Sequence, residues 1–220
     1  MLQPIMHILN AKRIVLASAS PRRQELAKNI GLNVLLCPST FEEDLDPSSF
    51  KNIEGFVEET ALQKVLEVDK RLSSGPDKAD VIIGADTMVT LDGKLFGKPD
   101  DSKDAFRMLS ELNGRGHIVY TGVVVKNGPE IVKFCEKTSV FFGNLTPEQI
   151  SAYVATGEPL DKAGAYGIQG IGGTMIERIE GDYFTVMGLP LYKLSSVLFD
   201  ILSNKSRKYM RAPLLIKWQY

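Results

Sequence analysis

Two long strand-like segments, residues 117–126 and 131–142, are separated only by a turn at Asn127-Gly128-Pro129. So short a turn can join only antiparallel neighbours, because parallel strands need a crossover of a dozen or more residues. A second hairpin is predicted over residues 88–96, turning at Asp92-Gly93. Upstream, the pattern alternates instead. Short apolar runs at 13–18, 33–38 and 79–85 are divided by a helix that opens at Ser20-Pro21 and ends near Gly31, and by a long amphipathic helix over 54–74 stopped at Gly75-Pro76. Such alternation makes parallel pairs. A chain with both patterns must build a mixed sheet. The expected fold class is therefore α/β: an elongated mixed β-sheet flanked by helices, in two lobes with a central cleft.

Further helices are predicted over 101–112, over 147–156 behind a capping box at Thr146 and Gln149, and over 189–202. A glycine-rich loop spans 164–173 and a strand 175–180. With no repeat and no linker, residues 12–202 read as one domain, followed by a basic tail, 203–220, expected to be flexible.

Composition narrows the chemistry. Two Cys and two His among 220 residues exclude a four-cysteine zinc site and a disulfide framework, which fits a reducing compartment and a cytoplasmic location. Cys37 and Cys135 fall in strand-like runs and are expected to be buried. No apolar run is long enough to span a membrane. The near-zero net charge is uneven. Lys205, Arg207, Lys208, Arg211 and Lys217 stand in the tail with no acid, so residues 1–202 hold 21 basic against 27 acidic groups, a net of −6. That argues against a broad nucleic-acid surface.

Four places break the local pattern. Ser18-Ala19-Ser20-Pro21-Arg22-Arg23 puts hydroxyls, helix-terminal N–H groups and two arginines at a strand-to-helix junction, where an anion would offset charges that oppose the helix dipole. Lys64 lies within the apolar stripe Val57, Ala61, Val65, Val68, either snorkelling outward or reaching a cleft. Asp86-Thr87 follows a buried run, at the carboxyl edge where α/β sheets place ligands. Glu42-Glu43-Asp44 offers a second carboxylate, and a carboxylate pair suits a hard cation. Lys98 sits in a rigid Gly97-Lys98-Pro99 turn. The glycine-rich loop carries Asp161, Lys162, Tyr166 and Gln169, and a glutamine can read a base edge. Together these suit a metal-bound polyphosphate with an attached base.

At these residues the sequence resembles the Maf family of nucleoside triphosphate pyrophosphatases, over about residues 12–202. The matching motifs are Ser18-x-Ser20-Pro21-Arg22-Arg23, Gly84-Ala85-Asp86-Thr87, Lys98-Pro99, Thr121-Gly122 and the long run from Thr156 to Gly170. The resemblance implies a fold related to inosine triphosphate pyrophosphatases. It implies hydrolysis of a nucleoside triphosphate to the monophosphate and pyrophosphate, dependent on Mg²⁺ or another divalent cation such as Mn²⁺, in a homodimer. It assigns catalysis to Asp86, metal binding to Asp86 and Glu43, and substrate binding to Ser18, Arg23, Lys64 and Lys98, with Lys162 alongside. Arg22, Thr87 and Gln169 match the positions that mark the dTTP/UTP branch. A carboxylate tightly bound to a cation is a poor free base, so metal ligand and general base stand as alternatives for Asp86. The alternative function is a non-catalytic nucleotide sensor acting through a protein partner. Residues 203–220 do not resemble the family and are either a separate end or the start of a longer fusion, as when a similar domain precedes a methyltransferase-like one.

Overall fold

The computed structural model describes residues 1–73 and 75–203. Its strands are β1 (Ile14–Leu16), β2 (Val34–Leu36), β3 (Val81–Leu91), β4 (Lys94–Phe96), β5 (Gly116–Asn127), β6 (Glu130–Phe142) and β7 (Ile176–Glu180). They form one mixed sheet in the order β2-β1-β3-β5-β6-β7, with β4 pairing β3. β1 is parallel to β2 and β3, and every other pair is antiparallel. The hairpins follow their turn residues. Asp92 and Gly93 take φ of 51° and 78°, the two positive values a type I′ turn requires. Asn127 pairs Glu130, so the β5–β6 loop is Gly128-Pro129, with Gly128 at φ 57°.

One strand differs from expectation in a way that moves the site. The run predicted to end at Ala85 continues to Leu91, so Asp86 lies within β3 and not after it. β5 pairs β3 from Val81 through Thr90 and carries it past the point where β1 stops; the last parallel pair is Leu16↔Ile83. The carboxyl edge beside Asp86 is that of β1.

The sheet's two faces are covered differently. On one face, Ile82 and Val124 pack under the long helix α3, which follows α1 (Met6–Asn10) and α2 (Pro21–Asn29) and runs from Ile53 to Ser73. Two glycines let α3 settle close: a Cβ on Gly84 would lie 2.5 Å from Val65 Cγ2, and one on Gly122 would lie 2.5 Å from the carbonyl carbon of Val57. On the other face there are two cores. Ile83, Ala85, Val123 and Val125 pack with α1, α2 and the C-terminal helix Leu191–Leu202. Val89, Leu91 and Val119 pack with α4 (Ser102–Leu112) and α5 (Pro147–Ala155). Between them, on the same face of the same two strands, stand Thr87 and Thr121, paired in register. The lobes part where the apolar rows turn polar.

The capping box before α5 is present, with Thr146 and Gln149 each bonding the other's backbone. Ser20 holds the N-cap position of α2, but its side chain makes no cap bond. Two elements were not anticipated. Leu2, Ile5 and Leu9, ahead of residue 12, are buried in the first core. A short helix α6 (Tyr183–Met187), capped by Asp182, leads to Gly188 and then to α7, the helix Leu191–Leu202. Cys37 and Cys135, expected to be buried, are half-buried and unpaired, and burial raises the Cys135 thiol to about 12. No helix of the described residues is long and apolar enough to cross a membrane. The basic tail, apart from Ser203, lies outside the described residues.

Candidate active site

A cleft of about 740 Å³ opens between the lobes and round the edge of β3 where β1 ends. All ten residues singled out from the sequence line it, drawn from segments 18–23, 43, 64, 86–87, 98 and 162–169.

On the α3 side the centre is Lys64. Its apolar stripe buries it to 9% exposure, and it reaches the cleft instead of snorkelling. Its Nζ lies 2.8 Å from Asp86 Oδ1 and 2.9 Å from Glu43 Oε1. Asp86 is buried, whereas Glu43 is exposed. Of the three neighbouring acids in that loop, Glu43 is the one that pairs with Lys64. The loop's approach is pinned from α3: Glu67 accepts from Ser39 Oγ at 2.9 Å and Thr40 N–H at 3.0 Å. Burial works against the Glu67 carboxylate, yet these bonds and Arg71 hold it below the ordinary range.

On the other face Arg23 turns inward. It donates from Nε to the Gly188 carbonyl (2.8 Å), from Nη1 to the Ala85 carbonyl (2.9 Å) and Ser18 Oγ (3.2 Å), and from Nη2 to Thr87 Oγ1 (3.0 Å). Four of the five N–H groups a guanidinium has are thus engaged by protein. Burial lowers its pKa from the ordinary value, against the pull of Asp86. Arg22, one residue earlier, turns toward the opposite lobe and binds Asp161 through Nη1 at 2.8 Å. Lys162 Nζ binds the other Asp161 oxygen at 2.6 Å. Burial opposes the Asp161 charge, but these two partners hold its carboxyl below the usual range. Lys98 and Gln169 line the cleft from exposed positions.

Two residues that the sequence placed in motifs but gave no role take part in building the site. Glu158, within the long motif, accepts from the N–H groups of Ile171 and Gly172 at 2.9 and 3.0 Å and from the Tyr153 hydroxyl at 2.9 Å. Burial works against its charge and these bonds hold its carboxyl low. It ties together the glycine-rich loop that presents Gln169. Thr121 is fully buried beneath Thr87. The signal for Thr121 was its polar break in an otherwise apolar alternation from Val119 to Val125. For Glu158 there was no local signal beyond its place in the motif.

The residues fit a divalent cation in type and placement. Two carboxylate oxygens converge on one point, now met by the Lys64 ammonium, and they are hard donors. Among the described residues no cluster of three or more His, Cys, Asp or Glu is placed to hold a metal. Two protein carboxylates match the way Mg²⁺ is commonly held, by one or two carboxylates with the remaining positions taken by waters and substrate phosphates.

The sequence profile of the family described as "Maf-like protein" matches residues 13–201. A human protein named "Probable bifunctional dTTP/UTP pyrophosphatase/methyltransferase protein" is 48% identical over 197 residues, 86% of this chain and 32% of the human one. Proteins named "dTTP/UTP pyrophosphatase" from Thermosipho africanus and Moorella thermoacetica are 45% and 48% identical, covering 86% and 84% of this chain and 93% of each of theirs. The chain therefore spans about a third of the human relative's length and nearly the whole of the bacterial ones.

Proposed function

The chain belongs to the Maf family, and on that footing we propose that it is a nucleoside triphosphate pyrophosphatase. It would hydrolyse dTTP, UTP and related or modified nucleotides to the monophosphate and pyrophosphate, with Mg²⁺ or Mn²⁺ as cofactor. The observation that carries this reading is the buried Lys64 held between Asp86 and Glu43 in a cleft that Arg22, Arg23, Lys98 and Lys162 also line. A polyphosphate needs positive charge, carboxylates that recruit a cation, and a site for an attacking water.

Asp86 and Glu43 are the residues that would hold the cation, which when bound supplies charge neutralisation at the phosphate oxygens. Lys64, freed from its carboxylates, and Lys98 neutralise charge that builds on the leaving pyrophosphate. Ser18, two residues beyond β1, donates its hydroxyl proton to a phosphate oxygen, and Arg23 holds that hydroxyl in place. With Lys64 released, Asp86 would orient the attacking water through whichever of its oxygens the cation leaves free. Arg22, Lys162 and Gln169 meet the remainder of the nucleotide from the far lobe. A homodimer is the expected assembly, which analytical sedimentation would test, and a cytoplasmic location is expected with it.

The deciding experiment is pyrophosphate release across a nucleotide panel by the wild type and by Asp86→Asn. The variant should lose about 10³-fold or more in turnover while melting as the wild type does. Near wild-type release by the variant would remove Asp86 from the chemistry. Nucleotide binding with no turnover by the wild type would favour a sensor.

A further inference from the structure

Thr87 and Thr121 form the middle of a four-member row of hydrogen bonds. Arg23 Nη2 lies 3.0 Å from Thr87 Oγ1, Thr87 Oγ1 lies 3.0 Å from Thr121 Oγ1, and Thr121 Oγ1 lies 2.8 Å from the Thr185 carbonyl oxygen. The two ends fix the direction of the whole row. A guanidinium has only protons to give, and a carbonyl oxygen can only accept. Thr121 therefore gives its single proton to Thr185, and the contact between the threonines is filled by the proton of Thr87. Thr87, having surrendered its proton and accepted one from Arg23, has only lone-pair density left to offer the cleft.

Ser18 is polarised the opposite way by the same guanidinium. Its oxygen accepts from Ser20 N–H and from Arg23 Nη1, both at 3.2 Å. With both lone pairs used, its proton is what faces outward. One arginine thus makes one cleft hydroxyl a donor, suited to a phosphate oxygen, and another an acceptor, unsuited to one.

Position separates these duties further. Asp86 points to the α3 face and Thr87, its neighbour on β3, to the opposite face between the two lobes. The ligand group at Thr87 is thus a strand's width from the Lys64–carboxylate centre, on the side of the loop that carries Gln169.

We propose that Thr121, which is fully buried and does not line the cleft, is a positioning residue for base selection: by taking the proton of Thr87 it makes Thr87 an obligate acceptor, so that the ligand group there is an N–H donor, the imide N–H of uracil or thymine. This rests on the pyrophosphatase reading above. Cytosine presents a bare ring nitrogen at the same place, and two lone pairs would face each other without a proton between them.

The test measures kcat/KM for UTP and CTP in the wild type, Thr121→Val and Thr121→Ser. Valine keeps the volume and removes the acceptor, so Thr87 regains a proton to offer. The UTP-over-CTP ratio should then fall about tenfold or more, while serine keeps it within about twofold. A ratio is insensitive to the fraction of enzyme folded. An equal loss on both nucleotides in the valine variant, or a serine variant that loses the ratio as valine does, would overturn the proposal. A second arm needs no variant. Wild-type turnover of N3-methyl-UTP, which lacks the imide proton, should fall about a hundredfold or more below that of UTP, and comparable turnover would likewise overturn it. If the wild type releases pyrophosphate from no nucleotide, the pyrophosphatase reading fails. Calorimetric binding of UTP against N3-methyl-UTP then decides the inference alone, with discrimination supporting it and equal affinity refuting it.

Discussion

Gly122→Ala should loosen the helix that carries Lys64. The added methyl would stand 2.5 Å from the carbonyl carbon of Val57, 2.6 Å from its oxygen and 2.7 Å from Glu58 N. All three are helix backbone, so no rotamer change relieves them. Restoring ordinary contact requires α3 to lift from the sheet by about 1 Å. Overpacking of this kind costs about 1–3 kcal/mol, and an immovable backbone neighbour places it at the upper end. At about 2–4 °C per kcal/mol for a domain of this size, the melting temperature should drop by roughly 6–12 °C. The lift also draws Lys64 away from Asp86, now 2.8 Å distant. Displacements of about 1 Å in a catalytic group cost on the order of 10² in rate. Gly143→Ala is the control, since its methyl would meet only the Met175 carbonyl oxygen, at 3.9 Å. Differential scanning fluorimetry and pyrophosphate release read the two effects. A Gly122→Ala protein that melts within about 2 °C of wild type and turns over at the wild-type rate would refute the close-approach reasoning.

Two further outcomes are expected. Burial lowers the His117 imidazole from its ordinary 6.5 to about 4. Between those values the unfolded chain binds a proton that the folded chain refuses. This contribution is therefore complete above pH 6.5 and is lost as pH falls toward 4, by about 2 kcal/mol at pH 5. Urea melts at pH 7 and pH 5 should show that loss in the wild type and less of it in His117→Gln; equal losses in both would remove His117 as the cause. Glu158→Gln leaves loop N–H groups short of an acceptor, so it should raise KM for UTP several-fold with kcat little changed, and an unchanged KM would show that the loop does not depend on Glu158.

The parts of the fold that were legible are those whose cause is local. The Asp92-Gly93 turn, the Gly128 turn and the Thr146 capping box each need only a few adjacent residues, and each is present. The extent of β3 was not legible. Asp86-Thr87 reads locally as the polar end of an apolar run, and what carries the strand onward is β5, whose Gly122 and Thr121 lie more than thirty positions later. The burial of Leu2, Ile5 and Leu9 likewise depends on a core assembled from β1, β3, β5 and α7. Five residues of helix at Tyr183–Met187 are too few to show a period.

The site was legible where a residue contradicted its own element, as Lys64 does in an apolar stripe. Thr121 is a weaker break, because threonine is at home in a strand; its place in the row from Val119 to Val125 marks it, but only the register with Thr87 shows what it is for. The adjacent arginines show the limit of counting charge. Successive helix positions differ by about 100°, so Arg23 points into four protein acceptors while Arg22 reaches across to Asp161. Lys64 and Lys162 are also held by carboxylates, and Lys98 is the cleft lysine with no ion pair among the described residues. An anionic ligand must therefore displace Asp161 from Arg22 and Lys162, and Asp86 and Glu43 from Lys64. Of the three carboxylates so released, Asp86 and Glu43 are the pair a divalent cation would neutralise. Cation and polyphosphate are thus expected to enter together, each lowering the cost of the other's place. That is how a body with a net charge of −6 can still favour a polyanion.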